Sequence, residues 1–156
     1  MNKLLAFFCL MLASCAPKDS FEQYVTLGGN WHKDKPVSFR YAATDTLGKY
    51  NLYLLLRNDE QYPYSNIFLI TKTTAPNHQV IVDTLEYEMA DAQGRWLGTG
   101  FSEKESKLWF KEGVRFSAQG DYLFSVQQAD RSLGDVQGVE NLKGITQVGL
   151  MIQKVE

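Results

Sequence analysis

Hydrophobic and polar residues alternate in short runs along most of the chain, and turn-forming residues end each run. Residues 50–57, YNLYLLLR, place large apolar side chains at both parities, which is typical of a central strand buried on both faces. Residues 79–90, QVIVDTLEYEMA, alternate apolar and polar positions, which predicts a strand with one face towards solvent. The pattern therefore indicates β-structure.

Runs of this kind recur with the spacing of an antiparallel sheet, and no window carries a helical apolar stripe longer than about two turns. They occupy residues 21–27, 36–43, 50–57, 66–73, 79–90, 95–101, 107–110, 121–129 and 145–155, and the glycines of 95–101 suggest a bulge. About eight strands without a blade-like repeat predict an all-β chain, folded as a single jelly-roll-like β-sandwich over residues 21–156. A closed barrel around a lumen is the alternative.

The first residues follow a different pattern. A short positive start is followed by an unbroken apolar run from Leu4 to Leu12, and small residues then precede Cys15. This is the layout of a bacterial export signal. As a helix, the apolar run covers about 14 Å, which is too short for a hydrocarbon core of about 30 Å. A permanent membrane span is therefore not expected.

The segment LASC, which ends at Cys15, resembles the lipobox of bacterial lipoproteins. The cysteine thiol is the nucleophile that forms a thioether to diacylglycerol, and the small residues before it suit the signal peptidase. We therefore expect residues 1–14 to be a cleaved lipoprotein signal peptide and residues 15–20 to be a lipidated cysteine with a short spacer. Two or three acyl chains anchor a protein stably to a lipid bilayer.

Composition and charge narrow the chemistry of the remaining chain. The two cysteines are Cys9, inside the signal, and Cys15, so the folded domain has no thiol for a disulfide or a metal site. The formal net charge is −2 and no Lys/Arg cluster occurs, so nucleic acid is not an expected partner. His32 and His78 lack ligand-type neighbours, and known catalytic motifs are missing. We expect no catalytic residue, no metal, no cofactor and no soluble small-molecule ligand.

The loop NDEQYPYS, residues 58–65, is the first candidate for partner docking. It is longer than a tight hairpin requires, and it concentrates Tyr62, Pro63 and Tyr64. Tyrosine offers a stiff contact surface with a polar tip, which suits recognition. The alternative is that the loop packs on itself, with a tyrosine folded onto the edge of the sandwich.

Trp109 is the second candidate for docking. It stands between Leu108 and Phe110, so alternation places it on the face of Lys107 and Lys111. A tryptophan on a charged face is either an exposed platform or a ring covered by the lysine stems.

Two charged residues fall on apolar parities. Arg57 shares the parity of Tyr53 and Leu55, and Asp83 shares that of Ile81 and Leu85. Burying either charge alone is costly, so an ion pair or a hydrogen-bonded network is one interpretation of these possible buried polar residues. A break in the strand register at each point is the other.

Several segments together resemble the gliding-motility lipoproteins of the GldH type, which occur in the Bacteroidetes. Beside the lipobox, the matching stretches are YNLYLLLRNDEQYPYSNIFL (50–69), DTLEYEMADAQGRWLGTGF (83–101) and GDYLFSVQQADRSLGDVQGVENLKGITQVGLMI (120–152). Tyr-Pro-Tyr-Ser-Asn and Gly-x-Trp-Leu-Gly are the more specific parts. The only functional position that the resemblance carries over is Cys15.

The resemblance implies a lipid-anchored, non-enzymatic protein of the cell envelope. Ala16 follows Cys15, where in some bacteria an aspartate signals retention at the inner membrane, so the outer membrane is the expected location. Such a protein supports gliding motility and the associated type IX secretion machinery by docking other envelope proteins. The alternative is a membrane-tethered glycan-binding module, because jelly-roll sandwiches with an exposed tryptophan often bind sugars.

Overall fold

The computed structural model describes residues 20–155, which form ten strands. They are β1 (Ser20–Thr26), β2 (Asn30–His32), β3 (Val37–Ala43), β4 (Tyr50–Asn58), β5 (Asn66–Thr74), β6 (Val80–Glu88), β7 (Lys104–Val114), β8 (Gly120–Gln128), β9 (Asn141–Lys143) and β10 (Ile145–Lys154). Within this range no helix has the length and apolar character needed to cross a membrane. The expected signal peptide and Cys15 lie outside the described residues.

The eight long strands form two four-stranded antiparallel sheets that enclose one core. Sheet 1 has the order β1-β10-β4-β7 and sheet 2 has the order β3-β8-β5-β6, while β2 and β9 form a short ribbon. Each sheet keeps two edge strands, so neither closes on itself. The predicted all-β sandwich is confirmed. The predicted run 95–101 is not a strand, because its residues form only isolated bridges, Ala90–Trp96 and Thr99–Glu105.

The strands pair according to one nested scheme. β5 pairs with β6, β4 with β7, β3 with β8, β2 with β9 and β1 with β10, always antiparallel. One long hairpin produces all these pairs if its turn lies between β5 and β6. Folding that hairpin over brings β10 against β4 and β8 against β5, which completes the sheets. A hairpin wrapped in this way is the jelly-roll arrangement.

The central turn of this hairpin has local signals of its own. The Asn77 side-chain oxygen accepts the Gln79 N–H at 3.1 Å, and the Ala75 N–H donates to the Gln79 carbonyl at 2.9 Å. His78 adopts a φ of 65°, a conformation in which Asn, Asp and His are enriched among non-glycine residues. The sequence therefore fixes the turn between β5 and β6 locally.

The core lies between the sheets, and β4 is its most buried strand. Leu54 and Leu56 face the core and are fully buried, while Tyr53 and Leu55 on the opposite face are also buried. This confirms the central position that the apolar residues at both parities predicted. The largest fully buried side chains are Trp31, Phe39, Leu54, Leu55, Leu56, Ile67, Leu69, Met89, Leu142, Ile145, Leu150 and Ile152.

The connections divide between two ends of the sandwich. At the end where β1 begins, here called the Ser20 end, the connections are short and span residues 44–49, 75–79 and 115–119. At the opposite end, here called the distal end, they are longer and include β2 and β9. The distal connections span residues 27–36, 59–65, 89–103 and 129–144.

Candidate docking surfaces

Tyr62 lies inside the distal end of the sandwich. Its side chain is only 3% exposed, and its hydroxyl donates to the Asn66 carbonyl at 2.6 Å. The backbone of Gly144, at a φ of 83°, approaches so closely that a Cβ there would lie 2.1 Å from the Tyr62 nitrogen. The expected docking role of Tyr62 therefore does not fit the structure, because the length of the loop serves to fold this ring into the core.

The remaining loop residues stay accessible. Pro63 is exposed and Tyr64 is half-buried, with its hydroxyl 3.2 Å from the Ser132 hydroxyl. The Tyr62 and Tyr64 rings meet edge to face at 5.9 Å. Pro63 and Tyr64 therefore remain the docking candidates of this loop.

Asp130 is a buried carboxyl group beside Tyr62, and the sequence pattern gave no sign of it. One oxygen accepts the Phe68 N–H at 2.7 Å, and the other lies 3.2 Å from the Tyr62 hydroxyl. Burial raises the pKa of Asp130 to about 6, although both hydrogen bonds lower it. Burial and the neighbouring Asp130 carboxylate raise the pKa of Tyr62 well above its ordinary value. The pair holds the distal connections together.

Trp109 lies on the outer face of sheet 1, and its side chain is 54% exposed. Its ring rests on Tyr53 at a centroid distance of 4.5 Å, and the Lys107 Nζ lies 4.0 Å from the Tyr53 ring centre. Lysine therefore covers the tyrosine and leaves part of the tryptophan open. Lys111 is not on this face, because an irregularity between β4 and β7 pairs it with the inward-facing Leu52.

Tyr24 extends this surface across the sheet. Its ring lies over Gly149, where a Cβ would come within 2.8 Å of the Tyr24 Cδ1, so glycine leaves the space that the ring fills. Burial, followed by the charge of Glu105, raises the pKa of Tyr24 to about 12. Residues Tyr24, Tyr53, Lys107 and Trp109 are called the aromatic face below.

Arg57 and Asp83 each form an ion pair. Arg57 Nε lies 2.6 Å from Glu105 Oε2, and Lys111 Nζ lies 2.7 Å from Asp83 Oδ2. All four side chains are partly exposed, so neither pair is fully buried. The β4–β7 register is continuous at Arg57 and the β5–β6 register is continuous at Asp83. On the other side of β4, the pairing with β10 is irregular between Ile145 and Gln147, beside Arg57. Both residues therefore form ion pairs, and a register irregularity adjoins Arg57 alone.

Four exposed apolar side chains stand at the distal end, and the pattern of strands did not predict them. Phe101 and Leu133 are fully exposed, while Leu97 and Val136 are largely exposed. Leu97 and Phe101 lie in the connection 89–103, and Leu133 and Val136 lie in 129–144. Their signal in the sequence is weak, since each lies within two positions of a glycine, which marks a turn or loop rather than an exposed site. They are called the distal tips below.

The described residues 20–155 contain no group of three or more His, Cys, Asp or Glu side chains placed to hold a metal ion. His32 Nε2 lies 3.6 Å from Glu140, and His32 Nδ1 lies 3.9 Å from Asp34. The Asp34 N–H donates to His32 Nδ1 at 3.1 Å, so this imidazole takes part in local hydrogen bonding.

Comparisons with known proteins identify the family and the relatives that this chain resembles. The sequence model of the GldH lipoprotein family matches residues 19–152. The "Gliding motility lipoprotein GldH homolog" of Christiangramia forsetii is 45% identical over 97% of this chain and 93% of its own length. The "Gliding motility lipoprotein GldH" of Flavobacterium johnsoniae is 43% identical over 97% of this chain and 94% of its own length. No solved structure matches the chain significantly.

Proposed function

Because the chain belongs to the GldH lipoprotein family, we propose that it is a lipid-anchored, non-enzymatic protein of the cell envelope that supports gliding motility. The names of its relatives in Christiangramia and Flavobacterium support this role. We place the anchor at Cys15 and the protein at the outer membrane. Its partners are other envelope proteins of the motility apparatus or the associated type IX secretion machinery.

The aromatic face is the observation that carries the docking proposal. Trp109 is half-exposed although its ring is held against Tyr53, so little conformational entropy is lost when a partner covers it. Tryptophan, tyrosine and arginine dominate the energetics of protein interfaces. The Arg57–Glu105 ion pair lies on the same sheet face, because Arg57 is two residues from Leu55 in β4 and Glu105 is two residues from Lys107 in β7. We place the docking surface here, with Tyr64 and the distal tips as its possible extension towards the distal end.

Trp109→Ala in the full-length chain tests the docking surface. We expect this variant to recover less of its envelope partners in a pull-down, by an amount that corresponds to a loss of about 1–2 kcal/mol or more in binding free energy. Leu123→Ala is the matched control, because Leu123 is comparably exposed, at 43%, on the outer face of sheet 2. Equal partner recovery for both variants would exclude Trp109 from the interface.

Glycan binding is the second candidate function, and the partly open Trp109 ring favours it as a platform on which a sugar could stack. A soluble polysaccharide should then change the tryptophan fluorescence, and the change should be lost in Trp109→Phe. Trp31 is buried and Trp96 is half-buried, so Trp109 is the tryptophan whose environment a sugar would change most. A docking protein instead recovers its partners without any response to sugars.

A further inference from the structure

Exposed aliphatic side chains collect at the Ser20 end of the sandwich. Leu47 projects from the connection 44–49, and Val80, Ile81 and Val82 open the edge strand β6. Val155 follows the end of β10 at the same end of the molecule and is also exposed. Exposed apolar groups mark an interaction surface when they form a contiguous patch.

Leu47 is held outward by its own loop. Asp45 Oδ1 accepts the N–H groups of Leu47 and Gly48 at 2.8 and 3.0 Å, and Lys154 Nζ lies 2.9 Å from Asp45 Oδ2. These bonds fix the connection while the Leu47 side chain stays in solvent. Its exposure is therefore built into the turn.

A cavity of about 260 Å³ opens between the two sheets at this end. Lys111 lines the cavity, and its ion pair with Asp83 joins the edge strands β7 and β6 beside it. Its walls are mostly apolar, and Ile81 contributes to them with its half-exposed side chain. The principal apolar walls are Leu52, Phe110, Val114, Phe116 and Phe124.

Two cationic residues belong to the same cavity wall. Lys111 is paired with Asp83, whereas Arg115 is exposed and forms no ion pair within residues 20–155. A guanidinium group binds phosphate oxygens in a bidentate manner. The opening thus combines an apolar interior with a free donor for an anionic group, which is the chemistry of a phospholipid.

The position of the expected anchor identifies the source of this lipid. Cys15 precedes Ser20 by five residues, which span at most about 17 Å when extended. Four strands at about 4.8 Å spacing make each sheet about 15 Å wide. A bilayer that holds the anchor is therefore within reach of the whole Ser20 end, including the mouth of the cavity.

We propose that the Ser20 end is a phospholipid-binding face on which the sandwich rests against the bilayer. One acyl chain of a bilayer phospholipid enters the cavity, Arg115 contacts its phosphate, and Leu47, Val80 and Val82 enter the headgroup region. The proposal rests on the lipid anchor proposed above. It also directs the distal tips away from the membrane.

The test uses the full-length lipidated protein in vesicles of phosphatidylcholine and phosphatidylglycerol that contain some phosphatidylcholine with a diazirine on its acyl chain. Illumination followed by mass spectrometry should place crosslinks on Phe110, Phe116 or Ile81. Co-flotation with crosslinks confined to the distal end, or absent from the cavity walls, would overturn this proposal while the anchor stands. A protein that does not co-float would refute the anchor, and with it this inference.

A negative charge introduced at the mouth of the cavity tests the site, and the same charge introduced at the distal end is the control. Ile81→Glu should lose the cavity crosslinks and still co-float, because the anchor is untouched. Leu133→Glu places the same charge on an exposed aliphatic position at the distal end and should keep them. Unchanged crosslinking in Ile81→Glu would contradict the proposed site.

Discussion

Asp130→Asn is predicted to remove a pH dependence of stability that one buried carboxyl group creates. Asp130 is 4% exposed, and its pKa rises from an ordinary 3.8 to about 6 in the folded protein. The folded state therefore holds the proton more tightly than the unfolded chain does. The resulting stabilisation is complete below pH 4 and is lost as the pH rises through about 6.

The size of the Asp130 pKa shift gives the expected change in the free energy of unfolding. One pKa unit corresponds to 1.36 kcal/mol, so a shift of about two units is worth about 3 kcal/mol. Asparagine keeps an oxygen for the Phe68 N–H, and in the variant its amide can donate to the Tyr62 oxygen, which leaves the Tyr62 proton to the Asn66 carbonyl. We therefore expect the variant to match the natural chain at pH 4 and to exceed it by up to about 3 kcal/mol at pH 7.

Urea unfolding between pH 4 and pH 8 measures this difference. A soluble form of residues 20–156 contains every strand of the sandwich, and the difference between the two chains cancels the titration of the other carboxyl groups. Asp121→Asn, at an exposed position of β8 where the carboxylate lies 3.4 Å from Arg40, is the control and should give no gain in stability at pH 7. A difference that is constant with pH, or a less stable Asp130→Asn at pH 7, would refute the reasoning.

Three further predictions concern single positions. Tyr62→Ala should lower the free energy of unfolding by roughly 3–5 kcal/mol, as for other buried aromatic residues, and a smaller loss in urea unfolding would indicate an exposed ring. Gly149→Ala should cost about 1–3 kcal/mol because its Cβ meets the Tyr24 ring, and Tyr24→Ser should relieve most of that cost in the double variant. Cys15→Ala should move the protein out of the salt-washed membrane fraction, and its retention there would contradict the lipobox interpretation.

The sequence determined those features that depend on neighbouring residues. The apolar residues at both parities of 50–57 predicted β4 as a central strand, and its side chains are buried on both faces. Periodicity is sufficient here because alternate side chains of a strand point to opposite faces whatever the strand pairs with. The order of charge, apolar run, small residues and Cys15 predicts a signal peptide in the same local way, and this prediction lies outside the described residues.

The tertiary structure alone decided which polar and aromatic residues are exposed. Tyr62 is buried because Asn66 and the distant Asp130 complete its hydrogen bonds, and loop composition contains no information on such a contact. An irregularity in β7 separates Lys111 from Trp109, since one extra residue reverses the face of the side chains that follow it. Leu47, in the connection 44–49, and Ile81, in β6, also lie at the same end of the sandwich. Nested strand pairing places them there, and no local pattern predicts it.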